Sequence, residues 1–241
     1  MKKIMCMLTI AANITFAGSY EDTIKSIIEK ETNTKINVIK YKDFKDNKGL
    51  RVAVIEIENE LQQIPIITND KGDMIVGLSN LFFTKSMDDE NIVKEIANEI
   101  MANNESKEQK AAAPIIDKLQ PSEYISMKSE AKDAKTYFII SDPNCGYCRE
   151  ELRRTEEKLK THNVNMVVVG LLGEDSLKKS AYILSKVNNS MNNAEKLKII
   201  RDAYSNNFKT PKAIDISKVQ ATTQTIFSSG VIRGTPFIYE K

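Results

Sequence analysis

The sequence places two thiols two residues apart, in Cys145-Gly146-Tyr147-Cys148. Sulfurs at this separation can close into a disulfide and reopen, so the pair can pass two electrons to or from a disulfide in another molecule. A purely structural bridge is a poor account of them, because closing so short a loop removes almost no freedom from the unfolded chain. Half of a zinc site is the other account. A closed zinc site takes four ligands; with one histidine, His162, and no second cysteine pair, a metal here needs carboxylates or a second chain. The expectation is a redox dithiol with neither metal nor bound cofactor.

The flanking residues give the two thiols unequal places. The apolar run Thr136–Ser141 suits a strand buried on both faces, and Asp142-Pro143-Asn144 makes a turn. A charged helix then runs to about Thr161, before a second apolar strand run, Val164–Leu172. Strand, helix and strand in that order form a βαβ unit with parallel strands. Along the helix Cys148, Leu152, Thr155 and Leu159 share one inward face, whereas Cys145 stands a turn earlier at the open N-terminal tip. Unpaired N–H groups and the positive end of the helix macrodipole favour a thiolate there. Lowering a thiol pKa by two units takes about 2.7 kcal/mol and the helix end supplies roughly 0.3 to 1, so direct hydrogen bonds must add the rest. The N–H groups of Tyr147 and Cys148 are the expected donors, and Cys145 is expected to ionise below the ordinary range. Gly146 and Tyr147 carry no charge, which leaves isomerase and reductase chemistry open. His162 is expected to close the helix at its last carbonyls rather than join the chemistry. Far downstream, Gly234-Thr235-Pro236 is either an ordinary trans turn or a cis X-Pro loop; the βαβ unit and Cys145 together favour cis.

The rest of the chain frames this unit. Tyr20 to about Glu31 reads as an amphipathic helix on Ile24, Ile27 and Ile28. Short β-branched runs at Ile36–Tyr41, Leu50–Ile57, Ile64–Thr68 and Met74–Leu78 read as an antiparallel meander. One helix and four strands make a thin core that a second copy would help to cover. From Ser86 to about Lys110, Ile92, Ile96 and Ile100 mark a narrow helical stripe; the stretch then turns alanine-rich and ends at Pro114. It reads as a helical linker between two domains, or as a surface helix of one domain. Beyond the βαβ unit, helical patterns at Leu177–Leu184, Leu197–Tyr204 and Val219–Phe227 precede a turn and a short strand within Val231–Tyr239.

A length of 241 residues accommodates one large domain or two small ones, and 41% hydrophobic with 28% charged residues is an ordinary globular balance. A net charge of +2 without a dense basic face argues against nucleic acid as a partner. At the N-terminus Lys2 and Lys3 precede an uncharged run, Ile4–Phe16, which reads as a secretory signal peptide cleaved near Ala17. A membrane anchor is the competing reading, but the run is shorter than the about 20 residues a spanning helix needs. Cleavage would remove Cys6, Lys2 and Lys3, taking Lys plus Arg from 35 to 33 against 33 acidic residues.

With Phe138-Ile139-Ile140-Ser141-Asp142-Pro143-Asn144-Cys145-Gly146-Tyr147-Cys148 and the distant Gly234-Thr235-Pro236, the sequence resembles the periplasmic thiol:disulfide isomerases of the DsbC and DsbG family. The resemblance implies a mixed α+β and α/β architecture. A cystatin-like dimerisation domain would span 18–85 and a helical linker 86–129. A thioredoxin-like catalytic domain would span 130–241, with a helical insertion at about 174–229. It further implies that Cys145 attacks and Cys148 resolves, and that Gly146, Tyr147, Thr235 and Pro236 meet the substrate, the last two as a cis-proline loop. The protein would be a periplasmic homodimer acting on misfolded or disulfide-containing exported proteins, with a membrane redox partner that reduces or oxidises the dithiol. Family members continue past the cis-proline strand with another strand and a helix, so those elements are expected to be missing from a chain that stops at Lys241. The competing readings are a dithiol oxidase on the same fold and a holdase chaperone in which exchange is secondary.

Overall fold

The computed structural model describes residues 19–58, 60, 62–78 and 81–241; the expected leader, residues 1–17, and Cys6 lie outside the described residues. The chain divides into two compact units, Met1–Glu105 and Ser106–Lys241.

In the first unit, helix α1 (Tyr20–Thr32) begins where the Ser19 hydroxyl accepts the Asp22 N–H at 3.2 Å, and ends at Asn33, whose φ of 53° is a left-handed cap that asparagine tolerates. Strands β1 (Ile36–Asp43), β2 (Leu50–Ile57), β3 (Gln63–Asn69) and β4 (Ile75–Gly77) follow as an antiparallel sheet in chain order. Helix α2 (Met87–Ile116) contributes its first part to this unit. β2 serves both faces of the sheet, as the period of two in a strand dictates. Ala53 and Ile55 join Ile24 and Ile66 in a core with α1, while Val52 and Val54 join Phe44, Val93, Ile96 and Ile100 in a core with α2. The Asp89 carboxylate fastens α2 to the β1–β2 turn by accepting the N–H groups of Lys45 (2.6 Å) and Asn47 (3.0 Å).

Gly72 packs the β3–β4 turn against α1. Its φ is +75°, and a Cβ there would stand 2.9 Å from the Tyr20 carbonyl oxygen. Gly72→Ala is therefore expected to destabilise the protein by roughly 1 to 3 kcal/mol, read as a lower urea midpoint. An unchanged midpoint would show that this turn yields freely.

The second unit is built on a sheet of order β5-β7-β6-β8. Strands β6 (Thr136–Ser141) and β7 (Asn163–Val168) run parallel and are joined by helix α3 (Gly146–Lys158), the expected βαβ unit. Strands β5 (Ile125–Met127) and β8 (Phe237–Glu240) pair antiparallel on β7 and β6. Helices α4 (Glu174–Lys186), α5 (Asn193–Tyr204) and α6 (Ser217–Phe227) lie between β7 and β8 in the chain. Successive residues of β6 feed opposite cores. Ile139 packs with Cys148, Leu152, Ile183, Leu197 and Tyr204, whereas Phe138 and Ile140 pack with Ile116, Ile226 and Phe237.

Three local expectations are corrected. The second apolar run leaves the sheet after Val168 rather than continuing to Leu172, because Gly170 packs against Leu177 and the Leu172 N–H is drawn to Asp142. α2 does not stop at Pro114. The proline forfeits one hydrogen bond, that to the carbonyl four residues earlier, and the buried Ile116 beyond it holds the last turn. β5, within the span expected to be linker, carries only three residues, too few to show alternation.

Candidate functional site

β6 delivers Ser141 and Asp142 to one end of the sheet, and the chain must turn sharply there to start α3. Asp142 makes the turn. Its carbonyl accepts the Cys145 N–H at 3.1 Å, and its Oδ1 accepts the Asn144 N–H at 2.8 Å, an Asx turn across two residues. The same Oδ1 accepts the Ser176 hydroxyl at 2.7 Å, and Oδ2 accepts the Leu172 N–H at 2.9 Å. One buried carboxylate thus ties the cysteine loop to the loop after β7 and to the first turn of α4. Asn144 adds a second tie: it accepts Lys179 Nζ at 2.8 Å and donates to Asp175 Oδ2 at 2.9 Å. Hydrogen bonds from Asn144 and Thr210 hold the Asp175 carboxyl below the usual carboxylate range.

Cys145 is the N-cap of α3 and Cys148 lies in its first turn. Their surroundings differ as the helix pattern requires. Cys145 keeps 8% of its surface exposed and Cys148 none. Burial pushes the Cys145 thiol up, but the Cys148 N–H and thiol, the Thr235 side chain and the Tyr147 N–H together outweigh it, so its pKa falls below the ordinary thiol value. One contact opposes ionisation, the Thr235 carbonyl oxygen 3.3 Å from the sulfur, which favours the protonated thiol. Cys148 is pushed up to about 11 by burial, which outweighs its contacts with Thr235, the Asp142 N–H at 3.3 Å and Ser141. Behind it the buried Tyr204 hydroxyl donates to Ser141 Oγ at 2.8 Å, and burial holds that phenol far above its ordinary value.

The remaining expected site residues converge on the same end of the sheet. The Thr235–Pro236 bond is cis, and the Thr235 carbonyl meets the Cys145 sulfur. Gly146 is exposed and Tyr147 is 79% exposed. His162 stands apart from the thiols: its ring stacks on Tyr137 at 4.3 Å and its Nδ1 meets the Thr161 hydroxyl at 2.8 Å. Its helix-closing contact is made by its backbone N–H, which donates to the Lys158 carbonyl. Among the described residues no group of three or more His, Cys, Asp or Glu side chains is arranged to hold a metal, and no helix is long and apolar enough to cross a membrane. Asp142 and Tyr204 are the participants that sequence reasoning missed. For Asp142 a signal existed, since an Asp in the turn just before a helix is disposed to accept the N–H two residues on in an Asx turn; for Tyr204 there was none.

A thiol poised to ionise, a second one protonated beneath it and a backbone edge beside both make an arrangement for disulfide exchange. Iodoacetamide alkylation of the reduced protein reads this directly. Because the Cys145 pKa is lowered, its thiolate persists at pH values where a free thiol, near 8.5, is mostly protonated. Its alkylation rate is therefore expected to fall only below that range, with Cys148 unreactive until the pH nears about 11. A Cys145 profile centred at the free-thiol value would remove the basis for its activation.

On this fold such a site defines a thiol:disulfide oxidoreductase. The family model for the N-terminal part of disulfide isomerase DsbG matches residues 24–113. The solved structure of DsbG from Helicobacter pylori is 34% identical, with 91% of this chain and 100% of that chain covered and a TM-score of 0.52. The chain belongs to the DsbC/DsbG family of disulfide isomerases. More distant likenesses include the thiol-disulfide exchange protein α-DsbA2 of Wolbachia pipientis, at 13% identity, 55% and 86% coverage and a TM-score of 0.43. The catalytic domain of Proteus mirabilis ScsC stands at 21%, 55% and 85%, and 0.36. No curated protein sequence matches the chain.

Proposed function

We propose that this protein is a disulfide isomerase and reductase of exported proteins, with Cys145 as the attacking thiol and Cys148 as the resolving one. The observation that carries the reading is the split between the two sulfurs, one with a lowered pKa and a remnant of exposure, the other sealed and held protonated. The Cys145 thiolate attacks a sulfur of the substrate disulfide; a Cys145–substrate disulfide forms and the displaced sulfur leaves as thiolate, which takes a proton from water. That released thiol can attack a second disulfide of the substrate, and the thiol freed there then attacks the Cys145–substrate disulfide, which completes isomerisation and returns Cys145 as thiolate. When it does not, Cys148 loses its proton, attacks the Cys145 sulfur and frees the substrate thiol, and the dithiol ends as a disulfide. Gly146 and Tyr147 on one side and the Thr235–Pro236 loop on the other hold the substrate backbone across the sulfur.

The protein works in the periplasm as a homodimer, and a membrane redox partner resets the dithiol. The thin four-stranded first unit and the half-exposed Met74 and Val76 on and beside its edge strand β4 support the pairing of two copies. One observation favours a second reading, dithiol oxidase: every increment of thiolate stabilisation at Cys145 makes the disulfide a stronger oxidant. Thiol trapping in cells separates the two. A dithiol kept mainly reduced, together with catalytic refolding of a scrambled substrate, supports the isomerase; a dithiol kept mainly oxidised and inactive toward scrambled substrate overturns it in favour of the oxidase.

A further inference from the structure

Beside the dithiol runs a groove that the exchange cycle does not use. Arg149, Leu152, Arg153, Arg201, Tyr204 and Ser205 line a cavity of about 190 Å³ between α3 and α5. Two of its three guanidinium groups are neutralised, Arg153 by Glu150 at 2.6 Å and Arg201 by Glu156 at 2.8 Å. Arg149 has no ion pair or hydrogen bond from its side chain among the described residues. Its placement is informative. Its N–H donates to the Cys145 carbonyl at 3.2 Å, so the two residues sit one helical turn apart, which puts their side chains on neighbouring ground. The guanidinium turns back along the helix, with Nη2 3.8 Å from where a Cβ on Gly146 would stand. A half-buried, unneutralised cation thus lies over the N-terminal turn of α3, where the helix dipole is itself positive. The two fields add rather than cancel.

We infer that Arg149 is a carboxylate subsite, which selects disulfides carrying an anionic group within a few bonds of the sulfur that Cys145 attacks. This rests on Cys145 being the attacking thiol. In the mixed disulfide the substrate carboxylate reaches the guanidinium, whose planar fork donates two hydrogen bonds to it. Bond making is that of the exchange step and is unaltered: the Cys145–substrate S–S bond forms, the substrate S–S bond breaks, and the departing thiolate is protonated by water. The carboxylate can belong to a small disulfide or to an Asp or Glu beside a cysteine in a peptide, and the chemistry that recognises it is the same.

The test uses the full-length reduced protein and three small disulfides of matched size, dithiodipropionate (anionic), hydroxyethyl disulfide (neutral) and cystamine (cationic). Two disulfide peptides complete the set, differing only in Glu or Gln next to the cysteine. Rates, each divided by the rate of the same disulfide with a free small thiol so that leaving-group acidity cancels, are expected in the order anionic, neutral, cationic, with the spread shrinking as salt is raised. Arg149→Gln is expected to lower the anionic-to-neutral rate ratio by roughly three- to fivefold, the size of a solvent-accessible ion pair, and Arg149→Lys to restore most of it. Taking the ratio cancels any change in Cys145 ionisation. A Glu preference in the peptide pair places the subsite on protein substrates; a preference confined to dithiodipropionate places it on small thiols. A ratio equal in wild type, Arg149→Gln and Arg149→Lys overturns the subsite while leaving exchange at Cys145 intact. No Cys145-dependent reaction with any of the disulfides would instead overturn the reading on which the subsite rests.

Discussion

Cys145→Ser is expected to reduce thiol-disulfide exchange to the uncatalysed rate, whereas Cys148→Ser keeps the first attack and accumulates substrate joined to the enzyme. The contrast follows from the unequal burial of the two sulfurs. A serine hydroxyl at 145 neither ionises near neutral pH nor forms a bond that a thiol can later break, so nothing at the mouth of α3 replaces the lost sulfur. A serine at 148 leaves the attacking Cys145, with its remnant of exposure, in place and removes only the group that releases the adduct. The experiment is refolding of a scrambled protein together with non-reducing electrophoresis. Reductant-sensitive adducts are expected with Cys148→Ser and absent with Cys145→Ser. Adducts formed equally by both variants, or by neither, would end the assignment of attacking and resolving roles.

The largest effect on stability is expected at Asp142, a residue that touches no substrate. Asp142→Ala strands the N–H groups of Asn144 and Leu172 and the hydroxyl of Ser176, all of which now donate to its carboxylate at 2.7 to 2.9 Å. The buried Ser176 hydroxyl, once orphaned, costs roughly 1 to 3 kcal/mol, and the two part-buried N–H groups add to this, with part of the loss regained by water entering the gap. A net loss of about 3 to 5 kcal/mol is expected, a large share of the 5 to 15 or so that holds a typical domain. Asp142→Asn is expected to lose about half as much, since one oxygen can still serve Asn144 and Ser176 while the amide opposes the Leu172 N–H. Urea unfolding of wild type and both variants measures this. Equal midpoints for all three would show that the three segments are held by packing alone.

How far the sequence disclosed this site depended on the range of each interaction. Cys145 and Cys148 were assigned different places because helical periodicity over Cys148, Leu152 and Thr155 is a local property, and all three are buried. The strand before them was legible because Thr136–Ser141 is a continuous apolar run with a core on each face. Interactions between distant segments were not legible. Leu172 reads as the end of a strand until Asp142, thirty residues earlier, is seen to draw its N–H away. Tyr204 reads as one more apolar helix position, and only the fold reveals that its hydroxyl reaches Ser141 behind the buried sulfur. Pro114 read as a stop because local rules weigh the lost hydrogen bond but not the tertiary burial of Ile116 that overrides it.

The cis-proline loop leads straight into β8, where Phe237 lies opposite Ile140 and Ile238 opposite Ile139, and β6 leads straight into Asp142 and the cysteines. The nucleophile and the carbonyl facing it are therefore carried on the ends of two neighbouring rungs of one ladder, and their separation is a matter of residue count. A single residue inserted at the start of β8 would turn Phe237 and every residue after it to the opposite face. Side chains around the sulfur are free to diversify, but the length of this junction is not.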